Sequence, residues 1–144
     1  MGEDTSRHPA SVPSIAPWLL VPDADAAIAF YREAFGAAQL ERLDDEAGSA
    51  MVAQLSIGGA EFWVQADDVD PDTIASSPVR MILTVADPDA TFARALAANG
   101  KEIAPLGEEH GWRIGRIADP SGHHWEIGRR LSSEDGISSE DGKG

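Results

Sequence analysis

Residues 110–130 read HGWRIGRIADPSGHHWEIGRR, and the Asp119-Pro120-Ser121-Gly122 segment at their centre dictates how the flanking chain must run. Proline sets φ near about −65° at the second position of a turn, and glycine tolerates the positive φ needed near its end. A chain reversing there needs a strand on each side. Past the turn, His123-His124-Trp125-Glu126-Ile127 alternates. Trp125 and Ile127 therefore face a core, while His124, Glu126 and Gly128 share the opposite face. A carboxylate is thereby placed inside a strand, on the face away from the core.

Upstream, the same layout occurs twice. A shift of 64 positions lays Leu19 on Leu83, Val21 on Val85, Asp23 on Asp87, Asp25 on Asp89, Ala34 on Ala98 and Gly36 on Gly100. Continued without a gap, it also lays Gly58 on Gly122. Each copy predicts a strand, a helix and three further strands. In the first copy, residues 15–21 read as a strand with Leu19 and Val21 on one face and Ala16, Trp18 and Leu20 on the other. Asp23 is the expected N-cap of a helix ending at Phe35, closed by Gly36. Ala27, Phe30, Tyr31, Ala34 and Phe35 form its buried stripe. Strands follow over 38–43, 50–57 and 61–65, the last two joined at Gly58-Gly59. In the second copy Asp87 caps a helix with Pro88 at its first position, and Asn99-Gly100 ends it. Met81, Leu83 and Val85 make a helix-facing row, which leaves Arg80, Ile82 and Thr84 on the other side of their strand.

The expected organisation is a flexible arm over residues 1–14, which includes His8, and a single domain over 15–130. That domain comprises module one (15–66), a linker (67–78) and module two (79–130), followed by a disordered acidic tail over 131–144 in which Ser-Ser-Glu-Asp-Gly occurs twice. The linker carries Asp67, Asp68, Asp70 and Asp72 without the spacing or closing glutamate of a calcium loop. With 144 residues the chain can bury a proper core, and with no cysteine it has neither a disulfide framework nor a thiolate nucleophile. A formal charge of −14 opposes nucleic-acid binding, and no apolar run is long enough for a membrane span. Cytoplasmic location is the expectation. No phosphate-binding loop or dinucleotide fingerprint occurs.

The run Asp119, Pro120, Gly122, Trp125, Glu126, Ile127 resembles the last-strand motif of the vicinal-oxygen-chelate superfamily, the glyoxalase, bleomycin-resistance and dioxygenase group. Gly111-Trp112-Arg113 is similar to a feature of its PhnB-like branch, although the order Gly-Trp differs from the branch pattern. The resemblance implies an α+β fold in which two βαβββ modules form a U-shaped mixed sheet around a cavity. It also implies a divalent metal held from the concave side by one residue of the first strand and one of the last strand in each module. Those positions are Ala16 and Phe62 in module one, and Arg80 and Glu126 in module two. Only Glu126 is an ordinary metal ligand, so no cofactor is expected unless Glu126 recruits His124 or His110 to hold a divalent metal elsewhere.

The cavity wall expected from this register comprises Trp18, Leu20, Phe62, Ile82 and Trp112, with Arg80, Thr84, Arg116, His124 and Glu126 as polar points. Arg80 stands where a metal is expected and should pair with Glu126 or with an anionic group on a ligand. Three functions follow. The first is metal-independent sequestration of a hydrophobic or cationic compound, with a homodimer completing the cavity. The second is a divalent-metal-dependent lyase, isomerase or dioxygenase using Glu126. The third is a non-catalytic regulatory member with a vestigial pocket.

Overall fold

Asp23 opens the first helix as its chemistry demands. In a computed structural model that describes residues 12–132, its side chain accepts the Ala26 backbone N–H at 3.1 Å, and helix α1 runs Ala24–Phe35. Gly36 takes φ 70° and returns its N–H to the Arg32 carbonyl, which ends the helix. Asp87 repeats the device with Ala90 for helix α3, Pro88–Ala97, and Asn99 turns out of it at φ 82°. The expected arm falls outside the described residues over 1–11, and the expected tail does so over 133–144.

In module one, strands β1 (Trp18–Val21), β2 (Ala38–Asp44), β3 (Ala50–Ile57) and β4 (Ala60–Ala66) form a sheet in the order β1-β4-β3-β2. In module two, β5 (Met81–Thr84), β6 (Lys101–Glu109), β7 (Trp112–Ala118) and β8 (His124–Arg130) repeat it as β5-β8-β7-β6. The first and last strands of each module pair in parallel, and the rest are antiparallel. The architecture is therefore α+β with two βαβββ modules, and among the described residues the eight strands form two separately hydrogen-bonded sheets. β1 begins later than expected, at Trp18 rather than residue 15. The linker is also not wholly irregular, because Asp70 caps the short helix α2, Pro71–Ala75, by accepting the Asp72 N–H.

The core joins the modules. Tyr31 and Phe35 of α1 meet Phe62 of β4 and Trp125 of β8, with ring centroids 4.9 to 5.7 Å apart in the pairs Phe35–Trp125, Tyr31–Phe62, Tyr31–Trp125 and Phe62–Trp125. Offset and edge-on rings at this spacing gain beyond simple area burial. Asp119, 4% exposed, anchors the cluster. Its Oδ2 accepts the Tyr31 hydroxyl and the Trp125 Nε1–H, while its Oδ1 accepts the backbone N–H groups of Ser121 and His123. The aspartate that opens the turn thus also ties the second hairpin to the first helix.

The gapless 64-residue offset fails across the hairpins. Leu55 of β3 and Ile117 of β7 occupy matching buried positions at an offset of 62, and Phe62 and Val64 match Trp125 and Ile127 at 63. Two glycines make the first turn, whereas Pro120, Ser121 and Gly122 make the second inside the Asp119–His123 closure. Aligning Gly58 with Gly122 joins glycines from turns of different length. Because neighbouring strand residues face opposite ways, a slip of one position changes the face. Phe62 therefore lies in the core at 4% exposure instead of on the concave side, where Trp63 is the counterpart of Glu126.

Candidate functional site

The sheet of module two turns one face to the α1/α3 core and leaves the other open, and on the open face lies a cavity of about 560 Å³. Alternation determines which residues reach it. Trp112, Ile114 and Arg116 project from β7, Glu126 from β8 and Ile82 from β5, with Arg80 just ahead of that strand. The fourth wall comes from β6, an edge strand whose pairing with β7 is irregular between Ala104 and Gly107. Pro105 sits in that interval, having no N–H to contribute to a ladder, and it lines the cavity with Ala104. The β6–β7 turn closes the far end with Glu109 and His110, where His110 takes φ 53° and Gly111 φ 83°.

Glu126 is the polar centre of the wall. Its side chain is 15% exposed, and a single oxygen, Oε2, receives both Arg80 Nε at 2.5 Å and Arg116 Nη2 at 2.8 Å. Register produces this meeting, since Arg116 lies directly opposite Glu126 across β7–β8 and Ile82, two residues beyond Arg80, is its neighbour on β5. Arg80 is 45% exposed and Arg116 31%, yet Arg116 Nε is buried without a hydrogen-bond partner. Outside the lining, the exposed Arg130 guanidinium lies 4.9 Å from the centroid of the Trp112 ring.

Of the ten residues expected at the site, Arg80, Ile82, Trp112, Arg116 and Glu126 come together here. The other five do not join them. Trp18 is half-exposed on the open face of module one, stacked on Trp63 at 5.5 Å and donating Nε1–H to Gln65. Leu20 lies on the same strand, and its carbonyl accepts the Nε2–H of His123 at 2.8 Å. Thr84 is exposed at the end of β5. His124 shares a strand face with Glu126 but lies outside the cavity lining, and burial, then the positive charge of Arg116, holds its pKa below the ordinary histidine value. Phe62 borders instead a second hollow of about 320 Å³ at the seam between modules, with Arg80 and Ile82 forming the partition between the two spaces. Sequence reasoning missed Ile114, although its place between Trp112 and Arg116 in a strand of period two signals it. Pro105 and Glu109 carried no such signal, because a bulge and a turn bring them in.

The donor set does not suit a divalent metal. Ala16 has no donor, Trp63 occupies the position assigned to Phe62, and Arg80 brings a fixed positive charge. At about 4 Å and an effective dielectric of about 20, each guanidinium repels a doubly charged ion by about 8 kcal/mol. Two of them already hold Glu126. Among the described residues no three of His, Cys, Asp and Glu are grouped to hold a metal, so His110 and His124 do not assemble a site with Glu126.

Comparison with known proteins accords with this framework. An uncharacterised protein of Mycobacterium bovis, Mb0911c, is 38% identical over 127 residues, which is 81% of this chain and 83% of its own length. TioX from Micromonospora sp. ML1 matches with a TM-score of 0.66 and 29% identity, covering 83% of this chain and 100% of that one. The PhnB protein from Bacillus cereus matches at 0.67 with 20% identity over 83% of this chain and 100% of its own, a likeness of fold. The sequence profile of the Glyoxalase/Bleomycin resistance protein/Dioxygenase superfamily matches residues 11–127, and the chain belongs to that superfamily.

Proposed function

We propose that the protein is a metal-independent small-molecule-binding protein of the glyoxalase/bleomycin-resistance type. The observation that carries this reading is the Arg80–Glu126–Arg116 group on the cavity wall, where a guanidinium stands in place of a metal ligand. Around it Ile82, Trp112, Ile114 and Pro105 offer apolar surface, the combination of a mostly apolar lining and a few oriented polar groups that suits a small organic ligand. Among the described residues of the lining none has the arrangement of an activated nucleophile, which favours sequestration over turnover.

A homodimer fits this role. Trp18 and Ile82 leave more than half of their surfaces exposed on the open sheet faces, and a second copy would cover them and enclose the cavity. Light scattering should return twice the 15.2 kDa chain mass, and a clean monomer would leave the cavity open. The binding reading itself is tested by elemental analysis of protein purified without chelator, alongside a thermal-shift screen of apolar compounds. Well under one equivalent of zinc, nickel, manganese or iron per chain is expected, with at least one stabilising organic ligand. A stoichiometric metal that survives dialysis would overturn it in favour of metal-dependent chemistry.

A further inference from the structure

The geometry points to an oxyanion, a carboxylate on an elongated apolar body, as the ligand class of the cavity; this inference rests on the binding reading above and narrows it. Two guanidiniums line one end of the cavity and share a single carboxylate oxygen, so that end carries a surplus positive charge. Arg116 meets Glu126 through Nη2 alone while its side chain keeps 31% of its surface exposed, so its guanidinium is not saturated by Glu126 and has donor capacity left for a ligand oxyanion.

The chain charge of −14 by itself would favour a cation. Distance decides otherwise. Surface charges are screened over about 8 Å at physiological ionic strength, whereas the ion pairs at the wall span 2.5 and 2.8 Å. The other carboxylate of the lining, Glu109, lies opposite Trp112 at the far end. Arg116 lies four residue steps along the strand from Trp112, a distance of about 13 Å at about 3.3 Å per residue. A head group beside Arg80 and Arg116 therefore meets the arginine pair, while an apolar body lies along Ile82 and Ile114 toward Trp112.

Three probes that differ only at the head test this: biphenyl-4-carboxylate, biphenyl-4-methanol and biphenyl-4-methylamine, titrated calorimetrically into the full chain at low and high salt. The acid should bind about tenfold or more tighter than the alcohol, in keeping with a charge-assisted contact, and the amine should bind weakest. Added salt should narrow the gap. Arg116→Gln and Arg80→Gln should each bring the acid toward the affinity of the alcohol, while Glu126→Gln, which removes the competing carboxylate, should tighten the acid. Arg80 is half-exposed, so its variant keeps the test available should Arg116→Gln fold poorly. Equal binding of acid and alcohol, or preference for the amine, would overturn the oxyanion inference and leave the binding reading intact. Failure of all three probes to bind at millimolar concentration would overturn both.

Discussion

Removing the Asp119 carboxylate should cost more stability than any substitution on the cavity wall. Asp119→Ala leaves four donors without their acceptor, namely the Tyr31 hydroxyl, Trp125 Nε1–H and the backbone N–H groups of Ser121 and His123. The site is 4% exposed, so water replaces few of these bonds. An unsatisfied buried donor costs about 1–3 kcal/mol, but relaxation of the loop and rotation of the hydroxyl make the losses less than additive, giving about 3–5 kcal/mol in total. That is a large part of the roughly 5–15 kcal/mol that holds a typical domain folded. Asp119→Asn is a sharper probe, because either orientation of its amide turns an –NH₂ toward a donor, and about 2–3 kcal/mol should still be lost. Tyr31→Phe removes one donor while leaving three, at about 1 kcal/mol. Urea unfolding at neutral pH measures all three, and the double variant Tyr31→Phe with Asp119→Ala should cost less than the sum of the singles. The alkaline limb is a second readout. Burial, then the charge of Asp119, holds the Tyr31 phenol pKa well above its usual 10.0. Its contribution is therefore full below about pH 10 and declines as pH rises toward the folded-state value. An Asp119→Ala loss below about 1 kcal/mol, or strict additivity with Tyr31→Phe, would refute the reasoning.

Arg80→Ala should cost less than about 1 kcal/mol, since Arg116 still holds Glu126 and Arg80 is half-exposed. Arg116→Ala, which removes the less exposed partner, should cost about 1–2 kcal/mol, and the same urea titration ranks the two. Gly122→Ala should lose about 2 kcal/mol or more in thermal unfolding, because Gly122 sits at φ 106° and an added Cβ would come within 2.6 Å of the Pro71 carbonyl oxygen. His124 has a depressed folded-state pKa, so the stability it contributes is present above the ordinary value of 6.5 and is lost as pH falls through the folded pKa. His124→Gln should flatten that part of the pH profile of the urea midpoint, and an unaltered slope would remove His124 from the account.

Local chemistry is legible in the chain itself. Aspartates before each helix, Gly36 and Asn99 after them, and proline at the first position of α3 act through bonds only a few residues long, so composition and spacing suffice to locate them. Period two likewise assigns Leu19, Val21 and Leu83 to the core and Arg80 to the open face, and it carries the expectation that Arg80 and Glu126 meet. The repeat establishes two modules but not their exact register, because turns absorb one residue more or less at small cost while each such residue reverses the faces of the strand beyond it. Phe62 and Trp63 exchange roles for that reason. Only the tertiary structure brings Tyr31 to Asp119 across 88 positions, places Pro105 and Glu109 at the cavity through a bulge and a turn, and gathers two arginines on one oxygen of Glu126. These contacts depend on how sheets and helices stack in space, which no single segment encodes by itself.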